Sequence, residues 1–107
     1  MGRVSIAVYR PKAGKEAELT ALTGEHHGIL AAEGLVTDRK PIVMRSSDGS
    51  IVEVFEWTSA AAIEKAHENK AVQKLWERYE ACSEYAMLPS LPESKDPFAT
   101  FDAVDYK

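Results

Sequence analysis

Hydrophobic and polar positions alternate at the start of the chain. From Arg3 to Arg10 every second residue is Val or Ile, and Pro11 ends the run. A spacing of two residues places successive side chains on opposite faces of an extended strand. We therefore predict a first β-strand over residues 3–10.

The next segment changes to a helical period. From Lys15 to Glu33 the sequence is rich in Ala, Leu and Glu, and Gly34 stops the pattern. Its apolar positions recur at steps of three and four, and they are Leu19, Leu22, His26, Ile29 and Leu30. This spacing predicts a long amphipathic helix.

Two further strands are predicted to form a hairpin. Thr37–Ser46 and Ile51–Thr58 are rich in β-branched and aromatic residues, and Asp48-Gly49 lies between them. Asp and Gly both tolerate the positive φ angles of a tight hairpin turn. Because Pro41 cannot donate a hydrogen bond to a neighbouring strand, we expect the first of these strands to be an edge strand or to contain a bulge.

The second half of the chain is predicted to be a helix, a connector and a strand. Ala60–Glu84 is helical in composition, with a bend expected near Asn69-Lys70. Met87–Pro97 contains three prolines, which favours an extended connector without regular structure. Phe98–Val104 alternates again and is predicted to be the fourth strand.

These elements predict one α+β domain over residues 1–107, with the order β-α-β-β-α-β. That order is typical of the ferredoxin-like antiparallel sheet, in which both helices pack on one face. The predicted strands carry apolar side chains on both faces, so the second face needs a cover. We expect a second copy to supply it in a two-fold homodimer, with the connector 87–97 at or near the interface.

Composition and charge limit the binding partners and the cellular compartment that we expect for this protein. The chain has 13 basic and 17 acidic residues, a formal charge of −4, and no predicted helix carries a basic stripe, so nucleic acid is not an expected partner. No run is long and apolar enough to span a membrane. The only cysteine, Cys82, falls at helical spacing from Leu75 and Tyr79, as expected for a buried thiol in a reducing compartment. We therefore expect a cytoplasmic protein without a membrane partner.

Three histidines are the first candidates for chemistry. His26 lies in the apolar stripe of the first helix, where it is either a hydrogen-bonded core residue or part of a pocket wall. His27 is expected at the flank of that helix, in solvent. His67 shares a helical stripe with Ile63 and is expected to face the sheet, which makes it the better site candidate.

The remaining motifs do not suggest a metal or cofactor. No Cys or Asp cluster accompanies the histidines, and Glu64, three residues before His67, is a single carboxylate. A Gly-rich phosphate loop and a Ser nucleophile elbow are both missing from the sequence. Trp57, Trp76 and Tyr79 carry N–H or O–H groups that suit a planar organic ligand, although such residues are usually part of the core.

The run VEVFEWTSAAAIEKAH, from Val52 to His67, resembles the antibiotic-biosynthesis-monooxygenase family of dimeric α/β barrels. In that family a strand ending in Glu and Trp leads into a helix with an Ala-His pair. The run VYRPKAGKE, from Val8 to Glu16, is similar to the family's first strand and helix start. With the order of the elements, the resemblance covers nearly the whole chain and implies a sheet-to-sheet dimer that forms an α/β barrel.

The resemblance implies several activities, because the family contains cofactor-free oxygenases, haem-degrading enzymes, isomerases and proteins without an assigned function. The haem-degrading branch has an axial histidine further along its second helical segment, and this chain has no histidine between Lys70 and Glu84. The leading hypothesis is therefore a cofactor-independent monooxygenase that acts on a small phenol or quinol. His67, at a frequent family position, is its expected general base. The expected substrate-binding residues are His26, Trp57, Asn69, Trp76 and Tyr79.

Two alternatives remain at this stage. One is an isomerase or a non-catalytic small-molecule-binding dimer of the same fold, and the other is a module that only assembles with a partner. A pocket of several hundred Å³ between helices and sheet, with His67 in it, would favour an enzyme or a binder. A fully packed interior would favour the assembly module.

Overall fold

The structure is a computed structural model that describes residues 2–106. In chain order it contains β1 (Arg3–Pro11), α1 (Glu16–Ala32), β2 (Ile42–Arg45), β3 (Ile51–Trp57), α2 (Ala60–Ala66), α3 (Lys70–Cys82), β4 (Ser83–Ala86) and β5 (Asp102–Ala103). Two short 3-10 turns, Leu88–Ser90 and Pro92–Lys95, lie between β4 and β5. Within residues 2–106, no helix combines the length and the apolar character needed to cross a membrane.

The strands form one antiparallel sheet in the order β4-β1-β3-β2-β5. The central pair is β1 and β3, which runs from Arg3 opposite Trp57 to Tyr9 opposite Ile51. The predicted α+β class is confirmed, and the architecture is consistent with a ferredoxin-like sheet extended by one short strand.

The hairpin between β2 and β3 has the predicted turn. Gly49 has a φ of 90°, and the Asp48 carboxylate accepts a hydrogen bond from the Ser50 amide at 2.9 Å. The predicted first strand of this hairpin was too long, because β2 begins only at Ile42. Pro41, directly before it, has no N–H with which to extend the ladder.

The expected bend in the second helix is a full break. Ser59 caps α2 by accepting from the Ala62 amide at 3.2 Å, and Asn69 caps α3 by accepting from the Val72 amide at 3.1 Å. Each cap satisfies an amide that has no partner inside its own helix. Helix α2 therefore ends at Ala66, and a separately capped helix, α3, begins at Lys70.

The prediction of the fourth strand was wrong. The helix ends at Cys82 instead of Glu84, and Ser83–Ala86 then pairs with the second edge of β1. Of the predicted strand Phe98–Val104, only the two residues of β5 form a ladder, and they pair with β2. A four-residue strand is too short to show a period of two, and its pairing depends on the open edge that β1 offers.

The helices pack on one face of the sheet. Their buried residues form a single core cluster with the side chains of β3 that point to that face. These core residues include Leu19, Leu22, Leu30, Ile51, Phe55, Trp57, Val72, Leu75 and Tyr79. Each is removed from water, and complete burial of such a side chain contributes roughly 1.5–3 kcal/mol.

The opposite face is half covered by the chain itself. Leu91, from the connector, packs on Val8 and Val52 in a second cluster. The Glu93 carboxylate accepts from the Ser46 hydroxyl at 2.6 Å and also from a main-chain amide of the hairpin. These hydrogen bonds lower the pKa of Glu93 to about 2, because they stabilise its charged form. The connector is thus attached to the sheet face, with two 3-10 turns where no regular structure was expected.

The rest of this face exposes an apolar group that we name the outer patch. Val4 is 61% exposed, Ile6 50% and Ile42 59%. Ile6 and Ile42 both pair with Val54 of β3, so they lie in one row across the sheet. The outer patch is an apolar part of this face that the connector leaves exposed.

Candidate functional site

A buried carboxylate lies at the centre of the interface between helices and sheet. Glu53, on β3, has no exposed surface. Its Oε2 atom is 2.8 Å from Nδ1 of His26 on α1, and its Oε1 atom accepts from the Tyr9 hydroxyl at 3.2 Å. A carboxylate without such partners would be costly at this depth.

Two tyrosines extend this polar cluster. The rings of Tyr9 and Tyr79 stack with centroids 4.3 Å apart, and the Tyr79 hydroxyl donates to Oγ1 of Thr23 at 3.3 Å. Burial raises the pKa of both phenols, and the charge of Glu53 raises it further, so both remain protonated at neutral pH. These side chains fill the space in which the sequence predicted a pocket, and this packed interior favours the assembly module over a site between helices and sheet. Of the two roles considered for His26, its contacts fit the core role.

A pocket of about 480 Å³ lies instead at one edge of the sheet, and we name it the edge pocket. It is bounded by α1, by the start of β2 and by the last described residues of the chain. The lining residues are Thr23, Gly24, His27, Gly28, Lys40, Pro41, Ile42, Val43, Ala103, Val104, Asp105 and Tyr106. A mostly apolar wall with a few polar groups is typical of small-molecule sites.

His27 provides the imidazole ring in this wall. Its Nε2 atom is 3.0 Å from the Thr37 carbonyl oxygen. Because a carbonyl can only accept, Nε2 carries the hydrogen, and in the neutral ring Nδ1 keeps a free lone pair. Within residues 2–106, Nδ1 has no hydrogen-bond partner. His27 therefore has a free Nδ1 lone pair while the Thr37 carbonyl holds its ring.

Two glycines shape the floor of the edge pocket on either side of His27. A Cβ atom at Gly24 would lie 2.6 Å from the ring of Tyr106, whereas one at Gly28 would meet nothing within 4 Å. The helix backbone is thus in contact with an aromatic ring at one glycine and borders open space at the other. The sequence contains one sign of a pocket here, because two glycines one helical turn apart, Gly24 and Gly28, flank His27 and leave space beside the helix. The prediction nevertheless placed His27 in solvent.

His67 does not lie where the sequence predicted. It is exposed at the end of α2, where Nδ1 donates to the Ile63 carbonyl at 2.9 Å and the ring contacts Trp76 with centroids 5.1 Å apart. The buried positions of α2 are Ala62 and Ala66. Alanines allow the helix to lie close to the sheet, so that Ile63 packs at the margin of the core and His67 stays exposed.

The other predicted site residues are also dispersed. Trp57 is buried and donates from Nε1 to Ser5 at 2.9 Å, and Asn69 caps α3 and donates to Glu33 at 2.9 Å. Only two pairs come together, His26 with Tyr79 in the core and His67 with Trp76 at the surface. None of the six predicted residues is among those that line the edge pocket.

Comparison of the chain with known protein families, curated proteins and solved structures gives no match. In the part of the chain that the structure describes, no three His, Cys, Asp or Glu residues are grouped so that they could hold a metal ion.

Proposed function

We propose that this protein binds a small phenol or quinol in the edge pocket and oxygenates it without a cofactor, with His27 as the general base. The observation that carries the proposal is the arrangement of His27, which lines the pocket with Nε2 bound to the Thr37 carbonyl and Nδ1 free. The pocket volume of about 480 Å³ is within the usual range for small organic ligands.

Proton transfer is the first step of the proposed reaction. Nδ1 of His27 takes the proton of the phenolic hydroxyl, and the ammonium group of Lys40, which also lines the pocket, stabilises the phenolate. A base placed in this way typically contributes about 10²–10⁴-fold to the rate. The apolar residues Val43 and Val104 provide a surface for the ring.

Oxygen is the second substrate in the proposal. The phenolate reacts with O₂ at a ring carbon, one oxygen atom stays on that carbon, and the other leaves as water. The phenol becomes a quinone and loses four electrons, which O₂ gains. The proton held by His27 and the hydrogen of the ring carbon both end in the water, so one phenol and one O₂ give one quinone and one water.

Oxygen uptake tests this function. Purified protein is mixed with a panel of electron-rich phenols and hydroquinones, and O₂ consumption is recorded with an electrode beside a buffer control for autoxidation. We expect enzyme-dependent uptake with at least one phenol, with one O₂ consumed per quinone formed. Binding of electron-rich phenols with no O₂ consumption by any member of the panel would contradict the oxygenase and favour the isomerase or binding alternative, because the same base can serve proton transfer alone.

We also propose that the protein is a two-fold homodimer that pairs through the outer patch, as the resemblance to dimeric α/β barrels implies. Val4, Ile6 and Ile42 are on one sheet face, so the same surface of two copies can pair with itself. Ile42 belongs both to the outer patch and to the edge pocket, so the interface would support one wall of the site.

Sedimentation tests the dimer. We expect a dimer at micromolar concentration, and Ile6→Asp should convert it to a monomer because a charge would be buried in an apolar interface. Phe98→Asp is the matched control, since Phe98 is 89% exposed but lies outside the sheet, and it should leave the dimer intact. A wild-type protein that sediments as a monomer would refute the pairing.

A further inference from the structure

The last described residues, 102–106, form one wall of the edge pocket, and we name them the tail. Ala103 pairs with Met44, and the Val104 amide donates to the Val43 carbonyl at 2.9 Å. The chain then crosses to α1, where the Tyr106 hydroxyl donates to the Thr20 carbonyl at 2.6 Å. The tail supplies four of the twelve residues that line the pocket.

The tail is held by a short ladder, by single hydrogen bonds and by the packing of Val104 against the margin of the core. Its ladder with β2 is two residues long, and most of its residues are exposed. It follows a stretch without regular structure between Lys95 and Asp102, in which the Phe98 ring is almost fully exposed. Segments with few buried contacts and exposed backbone hydrogen bonds open at low free energy without unfolding of the rest.

Gly24 is the position at which the tail meets α1. The ring of Tyr106 lies so close to the helix backbone that a Cβ atom at Gly24 would be 2.6 Å from its Cε1 atom. Any larger residue at this position would push the ring away. A glycine one turn later, at Gly28, has no such neighbour.

We propose that the tail is a movable wall of the edge pocket, so that docking of Tyr106 on Gly24 and binding of a ligand are coupled. The pocket is complete only when the tail is docked, because Ala103, Val104, Asp105 and Tyr106 line it only in that state. A ligand that touches both α1 and the tail binds the docked state better and shifts the population towards it. The identity of the ligand, a phenol, rests on the proposed function, whereas the docking of the tail does not.

A matched pair of glycine variants tests the docking without a ligand. Hydrogen exchange at the Val104 amide is measured in the wild type, in Gly24→Ala and in Gly28→Ala. Both changes replace a glycine in the same helix, but only the first creates a contact with Tyr106. We expect exchange to accelerate by on the order of tenfold or more in Gly24→Ala and to stay unchanged in Gly28→Ala. Tyr106→Ala, which removes the ring without a clash, should accelerate it as well.

The coupling is tested with 4-nitrophenol as the probe. Binding of 4-nitrophenol should slow exchange at the Val104 amide of the wild type. Its affinity for Gly24→Ala should be lower, in proportion to the decrease in the fraction of molecules whose tail is docked. Equal exchange rates at the Val104 amide in the wild type and the three variants would overturn the movable wall. So would binding of 4-nitrophenol that leaves this exchange rate unchanged. If 4-nitrophenol does not bind the wild type, the phenol of the proposed function is contradicted, while the variants still decide whether the tail docks on Gly24.

Discussion

Replacing Glu53 with alanine is expected to lower the free energy of unfolding by about 3–5 kcal/mol, the usual cost of removing one partner of a buried pair. The change leaves His26 and Tyr9 in the core without their acceptor and opens a cavity beside them. Small domains are stable by only about 5–15 kcal/mol in total, so this variant should unfold at a much lower urea concentration.

Glu56→Ala is the control for this prediction. Glu56 lies on the same strand but on the opposite face, where its side chain is 16% exposed and its carboxylate accepts from the exposed Arg39 at 3.0 Å and from Thr37 at 2.9 Å. A pair with one exposed partner contributes less than a fully buried pair, because water screens it. Urea unfolding followed by tryptophan fluorescence should therefore separate the two variants clearly. A similar decrease in the free energy of unfolding in both variants would show that the buried cluster contributes no more to stability than the pair at Glu56.

Replacing His27 with alanine is expected to lower kcat/KM for oxygen uptake with an active phenol by about a hundredfold or more, the scale of general base catalysis. The variant removes the only group in the edge pocket wall that is argued to take the phenolic proton. The Thr37 carbonyl, which the ring contacts, is partly exposed and can bind water instead. The fold should therefore survive, and circular dichroism checks this.

His67→Ala is the matched control, since it removes the same ring from an exposed position at the end of α2. We expect it to retain the parent activity. Loss of activity in His67→Ala together with full activity in His27→Ala would return the base to the position implied by the family resemblance. It would also move the chemistry to the surface beside Trp76.

Much of the fold could be predicted because its signals are local. The period of two in β1, the helical stripe of α1 and the Asp48-Gly49 turn each depend on residues close in sequence. The break before Lys70 likewise follows from the capping side chain of Asn69. Local hydrogen bonds of this kind involve residues two or three positions apart, so the sequence alone indicates them.

The last strands could not be predicted from local signals. β4 and β5 are four and two residues long, and their partners, β1 and β2, lie more than 50 residues earlier. What decides their positions is the hydrogen-bonding capacity of two open strand edges. The sequence alternates in Phe98–Val104, but only Asp102–Ala103 form a ladder. A period of two does not indicate which strand edge is free to pair.

The candidate site was missed for a related reason. His26 and His27 are neighbours on α1, and periodicity correctly separated the inward ring from the flanking one. That the flank of α1 borders a pocket depends on the tail, which returns to Thr20 from 86 residues further along the chain. Glu53 was missed because its burial depends on His26 and Tyr9, 27 and 44 residues away. His67 was misplaced because Ala62 and Ala66, the smaller residues of α2, face the sheet.

The proposed function requires that a phenol binds in the edge pocket, beside His27. The most direct measurement is a ¹⁵N NMR titration of the protein with 4-nitrophenol, in which the amide shifts locate the ligand. We predict that the largest shifts fall on Gly24, Gly28, Ile42 and Val104, which surround the pocket. Shifts centred on the surface pair of His67 and Trp76, or no shifts at millimolar ligand, would contradict it.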